Sequence, residues 1–489
     1  MATKEKGSIG TAGSDIGITA KKENNFSEWY TQVISKSELI DYSSVSGSYI
    51  IKPAAFNIWE SIQQYLNLRI KKLGVSNAYF PMLIPESLLK KEAKHIAGFS
   101  PEVAWVTEAG NSKLNERLAI RPTSETIMYE AYSRWIRSYK DLPLKLNQFN
   151  NVVRWEFNNP IPFLRSREFL WQEGHTAFAT KEEADKEVID ILNIYAEVYE
   201  KLLAIPVFKG KKTESEKFAG ADYTTSIETF LPNGKGIQCA TSHSLGQNFS
   251  KSFNINFLDK DEKTKYVWQN SWGLSTRSIG ITIMQHSDNK GAIIPPRVAK
   301  NKLVIIPIYF EEKEKNKVLS ACKKLFIQLE EFNPILDDRE GYTPGWKFNN
   351  WELKGIPLRI EIGPKDIKSS QAILARRDTQ EKQAVKLSQL KKKIPELLEN
   401  IQSNLYKKAA KIIKDNTVEA SSLNQLVKAI KDKKLIKAGW CGKESCESII
   451  KDKAEGAKIL NIPFKKHKIS DCPACNKKAL HPVLIAKSY

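Results

Sequence analysis

Arg154, Glu156, Arg165, Glu173 and His175 stand within one stretch, residues 150 to 177, NNVVRWEFNNPIPFLRSREFLWQEGHTA, interleaved with Trp155, Phe157, Phe169 and Trp171. The planar donor fork of an arginine suits a phosphate. Aromatic rings among paired charges point to a partly desolvated pocket, and a floor of carboxylates, an arginine and a histidine faces either water or a charged ligand. An edge hairpin with solvated charges is the plain alternative. A second chemical set lies near the C-terminus: Gly439-Trp440-Cys441-Gly442-x3-Cys446, then Asp471-Cys472-Pro473-Ala474-Cys475. Two tight cysteine pairs at Gly- and Pro-bearing positions fit a tetrahedral zinc site of four thiolates, closed and structural.

These groups need elements to hold them. Residues 152–157 and 168–175 read as an antiparallel hairpin with a long tip carrying Pro160, Pro162, Arg165 and Arg167. Alternation then puts Arg154 and Glu156 on one strand face, and Trp171, Glu173 and His175 on one face of the partner. Upstream, Ile58, Ile62, Tyr65, Leu66, Arg69, Ile70 and Leu73 recur at helical spacing until Gly74, and an extended run follows from Ala78 to Pro85. Thr123-Ser124-Glu125 resembles a helix cap leading into Tyr129, Tyr132 and Trp135. Residues 182–203 predict an amphipathic helix. Residues 236–247 read as a strand opening into a polar turn, and 270–284 as a Gly turn followed by Arg277 and an apolar helix or strand. Cys239 reads as a small buried hydrophobe. From Lys302 the pattern is a small mixed α/β domain of about 100 residues.

At 489 residues the chain is long enough for two to four domains. Its 76 basic and 56 acidic residues leave a net charge of +20, which favours a polyanionic partner modestly. No apolar run is long enough to span a bilayer and the N-terminus has no hydrophobic signal core, so a cytoplasmic protein without membrane contact is expected. Residues 1–22 are small, polar and Gly-rich, and are expected to form a disordered tail.

Arg154-x-Glu156, a loop with Arg165, then a strand resembles motif 2 of the class II aminoacyl-tRNA synthetases. The fuller set RPTSE, VVRWEF and FLRSREFLWQEGH is similar to the prolyl-tRNA synthetases, and the cysteine pairs, with no inserted editing domain, match their eukaryotic and archaeal type. The resemblance implies an α+β multidomain fold: a tail at 1–22, an antiparallel-sheet catalytic domain at 23–299, an α/β anticodon-binding domain at 300–395, and a small α/β zinc-binding domain at 396–489. It places motif 1 around 56–85, with Pro81, at a homodimer interface, motif 2 around 150–175, and motif 3 around 270–284.

By the same resemblance Thr123, Glu125, Arg154, Trp171, Glu173, His175, Thr241 and His243 bind proline. Arg154, Glu156, Arg165, Ser166, Phe169, Gln238, Ser275 and Arg277 bind ATP, with Mg²⁺ bridging the phosphates. Arg154 and Arg277 are the catalytic pair. Candidate anticodon readers, on stacking and hydrogen-bonding grounds, are Glu340, Lys347, Phe348 and Glu352. The implied reaction joins L-proline to tRNA(Pro) through an adenylate, releasing pyrophosphate and AMP. About 120 residues separate Arg154 from Arg277, which leaves no room for an editing insertion. A synthetase for another amino acid would lack Trp171-x-Glu173-x-His175 beside Thr123-x-Glu125, and a non-catalytic paralogue would have lost a phosphate-binding arginine.

Overall fold

A computed structural model describes residues 17–93, 102–465 and 468–489. The expected N-terminal tail lies outside the described residues as far as residue 16. The chain divides into two compact units, the smaller built from residues up to Asp41, Lys52–Ala54 and His286–Ile401, the larger from Tyr42–Ile51, Ala55–Gln285 and Gln402–Tyr489. The expected catalytic stretch 23–299 therefore contributes to both.

The larger unit is organised on one eleven-stranded sheet. In chain order its strands are β1 (Ser76–Asn77), β2 (Leu144–Val153), β3 (Glu168–Phe178), β4 (Phe208–Lys211), β5 (Tyr223–Phe230), β6 (Lys235–Gly246), β7 (Trp268–Ser275), β8 (Thr417–Glu419), β9 (Leu435–Trp440), β10 (Lys458–Pro463) and β11 (His481–Ser488). Across the sheet they run β8-β9-β11-β10-β4-β5-β6-β7-β3-β2-β1. The C-terminal strands thus extend the catalytic sheet: β10 pairs with β4, and the end of β11 pairs in parallel with β6 at Lys235 and Gly236. Four residues of α-helical spacing, Ile58, Ile62, Leu66 and Ile70, are buried along the helix Pro53–Lys72, which gives way at Gly74 with φ +79°. Such a φ suits glycine.

The predicted hairpin is present as β2 and β3, in antiparallel register from Leu144↔Ala177 to Val153↔Glu168. It ends earlier than its sequence suggests. β2 stops at Val153, so Arg154 and Glu156 lie on the turn beyond the ladder and share no strand face. On β3, Phe169, Trp171, Glu173 and His175 do share a face. The opposite face packs on the helix Lys181–Glu197, where Thr176 Oγ1 donates to Glu187 Oε2 at 2.5 Å. Gly174 sits opposite Trp272 of β7, and a Cβ there would come within 2.2 Å of the indole. The absence of a side chain is what lets the tryptophan lie across the strand.

Three further expectations change. Only Leu83–Pro85 of the extended run is strand, pairing with Ser112–Ile120, because the N–H groups of Ala78 and Phe80 bond instead to Asn147 O and Gln148 Oε1. The polar residues read as a turn after Cys239 continue β6 to Gly246, since Thr241, Ser242 and His243 pair with both β5 and β7. The glycine in the third motif, Gly273, lies within β7, and the helix begins at Arg277.

The smaller unit contains a five-stranded mixed sheet, ordered Ile335–Leu336, Leu303–Pro307, Leu358–Ile362, Gln371–Arg376, Lys382–Lys386. Its first three strands are parallel and the rest antiparallel. With helices Glu312–Gln328 and Pro344–Lys354 this is the small mixed α/β domain that the pattern predicts. Among the described residues no helix is long and apolar enough to cross a membrane.

Candidate active site

A cavity of about 280 Å³ opens on the centre of the large sheet. β3 supplies Phe169, Trp171, Glu173 and His175; β6 supplies Gln238, Cys239, Ala240, Thr241 and His243; β7 supplies Ser271 to Ser275. Thr123, Glu125, Arg154, Phe218, Thr224 and Arg277 close the sides. Charged and polar residues make up most of the lining, with the rings of Phe169, Trp171, Phe218 and Trp272 among them.

The loop before the helix Glu125–Trp135 is built by Arg121. This buried guanidinium donates to Phe80 O at 2.8 Å and Asn151 O at 2.9 Å, while its backbone N–H reaches Met82 O at 2.9 Å. Ser124 occupies the N-cap position but makes no cap bond; its hydroxyl donates to Glu173 Oε1 at 2.5 Å instead. The Thr123 hydroxyl donates to Glu125. The resemblance to a capping sequence thus conceals a carboxylate-binding turn.

Arg154 is fixed by Nε–H donation to Pro122 O at 3.0 Å, with Phe169 and Trp171 ring centroids 5.5 and 5.3 Å from its guanidinium carbon. Burial lowers its pKa, opposed by Glu156, Glu125 and Glu173. Arg277 donates from Nε to Leu164 O at 3.2 Å and from Nη1 to Gln238 O at 3.4 Å, and burial lowers its pKa as well. Two guanidiniums held in one cavity favour an anion there.

The two histidines are held in opposite ways. Burial pushes His175 down, but Glu125 and Glu173 overcome it and raise its pKa; its Nε2 lies 3.0 Å from Glu173 Oε2 and its Nδ1 3.2 Å from Tyr129 Oη. Among the described residues no carboxylate acts on His243. Burial, and then the charge of His175, lowers its pKa to about 3, with Nδ1 2.9 Å from Thr224 Oγ1 and the ring 4.8 Å from that of Phe218. Its folded-state pKa is depressed, so it contributes stability above pH 6.5 that is lost as pH falls towards 3. His243→Gln is therefore expected to flatten the acid decline in urea-unfolding free energy between these limits; an unchanged slope would contradict a neutral His243.

Most predicted residues meet here, and three do not. Glu156 and Arg165 are exposed and Ser166 is buried outside the cavity lining. Arg165 closes the hairpin tip through reciprocal backbone bonds with Ile161, and burial with the charge of Arg165 lowers the pKa of Lys235. The C-terminal Tyr489 docks on the same segment. Lys235 Nζ lies 4.5 Å from its ring centroid, and Asn233 Nδ2 donates to its hydroxyl at 2.6 Å. Thr224, Phe218 and Ser271 were not singled out from sequence as pocket residues; alternation along β5 and β7 carries the only signal for two of them.

The four cysteines form a second site. Their Sγ atoms lie within 4.8 Å of one another, with Cys441–Cys446 at 3.5 Å and Cys441–Cys475 at 3.7 Å. Backbone hydrogen bonding lowers Cys475 to about 7, whereas burial raises Cys446 and Cys472. Four convergent sulfurs at such spacing suit a tetrahedral metal ion. Cys239 is buried and its thiol pKa raised, which is the behaviour of a packing residue.

In the smaller unit, Phe348 and Glu352 converge on Arg359, 4.2 Å from the ring centroid and 3.2 Å from the carboxylate. Lys347 is turned inward to Asp337 O at 2.9 Å, and Glu340 pairs with Lys315 at 2.9 Å. The four candidates do not form one patch.

Residues 105–286 match the class II core domain shared by the synthetases for G, H, P, S and T, residues 302–397 an anticodon binding domain, and residues 423–489 the C-terminal domain of prolyl-tRNA synthetase. The chain is 49% identical over 484 residues to the cytoplasmic proline–tRNA ligase of Arabidopsis thaliana, covering 97% of this chain and 91% of that one. The chain belongs to the proline–tRNA ligase family. A bacterial member, from Natranaerobius thermophilus, is 50% identical over 460 residues, 94% of each chain. The bifunctional glutamate/proline–tRNA ligase of Drosophila melanogaster is 49% identical over 500 residues, 97% of this chain and 29% of that protein. The family's α+β architecture, with core, anticodon-binding and C-terminal modules, runs through the chain, and β3 to β7 with their helices occupy the interval between Arg154 and Arg277, leaving no inserted editing domain.

Proposed function

We propose that the chain is a proline–tRNA ligase: it joins L-proline to ATP as prolyl-adenylate and transfers proline to the 3′ end of tRNA(Pro). The reading is carried by one arrangement, the carboxylates of Glu125 and Glu173 with His175 in the same cavity as the guanidiniums of Arg154 and Arg277. A secondary ammonium suits the carboxylates, and a carboxylate next to a triphosphate suits the guanidiniums.

In this reading Glu125 and Thr123 take the ammonium, and Trp171, Thr241 and the neutral His243 border the pyrrolidine ring. Arg154 bridges the proline carboxylate and the α-phosphate as the new P–O bond forms and pyrophosphate leaves. Arg277 holds the outer phosphates, Phe169 stacks on adenine, and Gln238 and Ser275 line the nucleotide side. By resemblance to the second motif, Glu156, Arg165 and Ser166 are assigned to the nucleotide. Mg²⁺ would neutralise the phosphates. Zn²⁺ would be held by Cys441, Cys446, Cys472 and Cys475 and would brace the loops around β9 and β11. Residues 300–395 would read the anticodon, with Phe348 and Glu352 the better-placed candidates, the catalytic work falling to 23–299 and the zinc site to 396–489. A cytoplasmic location agrees with the Arabidopsis relative's name.

A homodimer through the first motif is supported by exposed large apolar residues within it, among them Tyr79 (73% exposed) and Leu68 (59%). Large apolar side chains left in water on one helix–strand motif suit a partner's surface. Sedimentation is expected to give twice the 55.5 kDa chain mass, and Leu68→Glu with Tyr79→Glu to give the monomer; a wild-type monomer would contradict the dimer. Charging of a tRNA(Pro) transcript with proline tests the function itself. Transfer of a different amino acid would refute it.

A further inference from the structure

Gln148 stands opposite Glu173 in the β2–β3 register and is completely buried. A buried amide costs stability unless its groups are bonded, and here each is. Its Oε1 accepts the Phe80 N–H at 3.1 Å, while its Nε2 donates to Ser124 Oγ at 2.7 Å and Glu173 Oε1 at 2.8 Å.

Glu173 is correspondingly saturated. Oε1 also accepts from Asn150 Nδ2 at 2.7 Å and Ser124 Oγ at 2.5 Å; Oε2 accepts the Ser124 N–H at 3.2 Å and lies 3.0 Å from His175 Nε2. Protein groups fill both oxygens, leaving little capacity for a substrate ammonium. Glu125, bonded by the Thr123 hydroxyl, is the carboxylate with room. Glu173 then serves to hold His175 and the Ser124 turn.

We infer that Gln148 is a positioning residue for the proline site, acting through Glu173 and Ser124 and tying both to the backbone of Phe80. This rests on the proline-activating reading above. Only an amide can do the work: one end must accept from a backbone N–H, the other must donate twice, once to an anion. A carboxylate in its place has no proton for Glu173, and two carboxylates in van der Waals contact bind one proton between them. The charged and titratable groups around that pair are Arg121, Glu125, Tyr129, Tyr132, Arg154 and His175.

The test is proline-dependent exchange of pyrophosphate into ATP by the full chain between pH 6 and 9, with KM for proline and for ATP measured separately, using Gln148→Glu and Gln148→Met. At pH 8, Gln148→Glu is expected to raise the proline KM by about tenfold or more, the scale of a lost charge-assisted hydrogen bond, with the ATP KM within about twofold of wild type. The deficit should shrink as pH falls, because a proton on the introduced carboxyl restores a donor to Glu173. Gln148→Met should show the rise in proline KM without that pH recovery, and it carries the test if the glutamate variant does not fold. A wild-type proline KM in both variants would overturn the inference, as would a pH-independent rise in both KM values for Gln148→Glu. Failure of the wild-type chain to exchange with proline would instead bring down the functional reading and the inference with it.

Discussion

Arg154→Ala should lower proline-dependent pyrophosphate exchange by about 100- to 1000-fold or more, the range for removing one preorganised donor from a developing charge. The guanidinium has a single protein hydrogen bond among the described residues, from Nε to Pro122 O, and is flanked by Phe169 and Trp171. Burial lowers its pKa against the pull of Glu156, Glu125 and Glu173, and an anionic ligand would favour its charged form further. The alanine chain should consequently melt within a few degrees of wild type. Arg154→Lys should restore little, because a point charge cannot bridge a carboxylate and a phosphate as a planar fork does. Near-normal exchange by the alanine variant would remove Arg154 from the reaction.

The second large effect is expected at the cysteine cluster. Elemental analysis should find one zinc per chain, and Cys472→Ser or a strong chelator should lower the melting temperature by on the order of 10 °C, since a closed metal site contributes binding free energy to folding. Cys472 is fully buried, in a core with Trp440, Ile450 and Val483. β11 runs antiparallel to β9 and β10 and ends in the parallel contact with β6 at Lys235 and Gly236, two residues from Gln238 in the cavity lining. Loss of metal should therefore also slow amino-acid activation, not only destabilise the terminus. A zinc-free chain indifferent to chelator would contradict the assignment.

The sequence was most legible where period and chemistry agree. Alternation on β3 placed Trp171, Glu173 and His175 on one face, and the helical spacing from Ile58 to Ile70 matched a buried stripe. It was least legible where polar side chains do interior work. Thr241, Ser242 and His243 looked like turn residues because their polarity suits solvent, yet they stand in a central strand whose polar face lines a cavity. Ser124 looked like a cap and is a carboxylate ligand. Lys347 looked like a surface reader and is buried on Asp337. Gln148 and Arg121 carried no local signal, because their partners lie across strands far away in the chain. The joining of β10 and β11 to the catalytic sheet is equally a long-range pairing, which no single-sequence pattern encodes.

Activation of proline in this cavity is the step that separates this chain from a synthetase for another amino acid. Exchange of labelled pyrophosphate into ATP, run with each of the twenty amino acids and without tRNA, tests it most directly. Strong exchange is expected with proline, weak exchange with alanine and none with the remainder. Exchange driven by another amino acid, or by none, would contradict it.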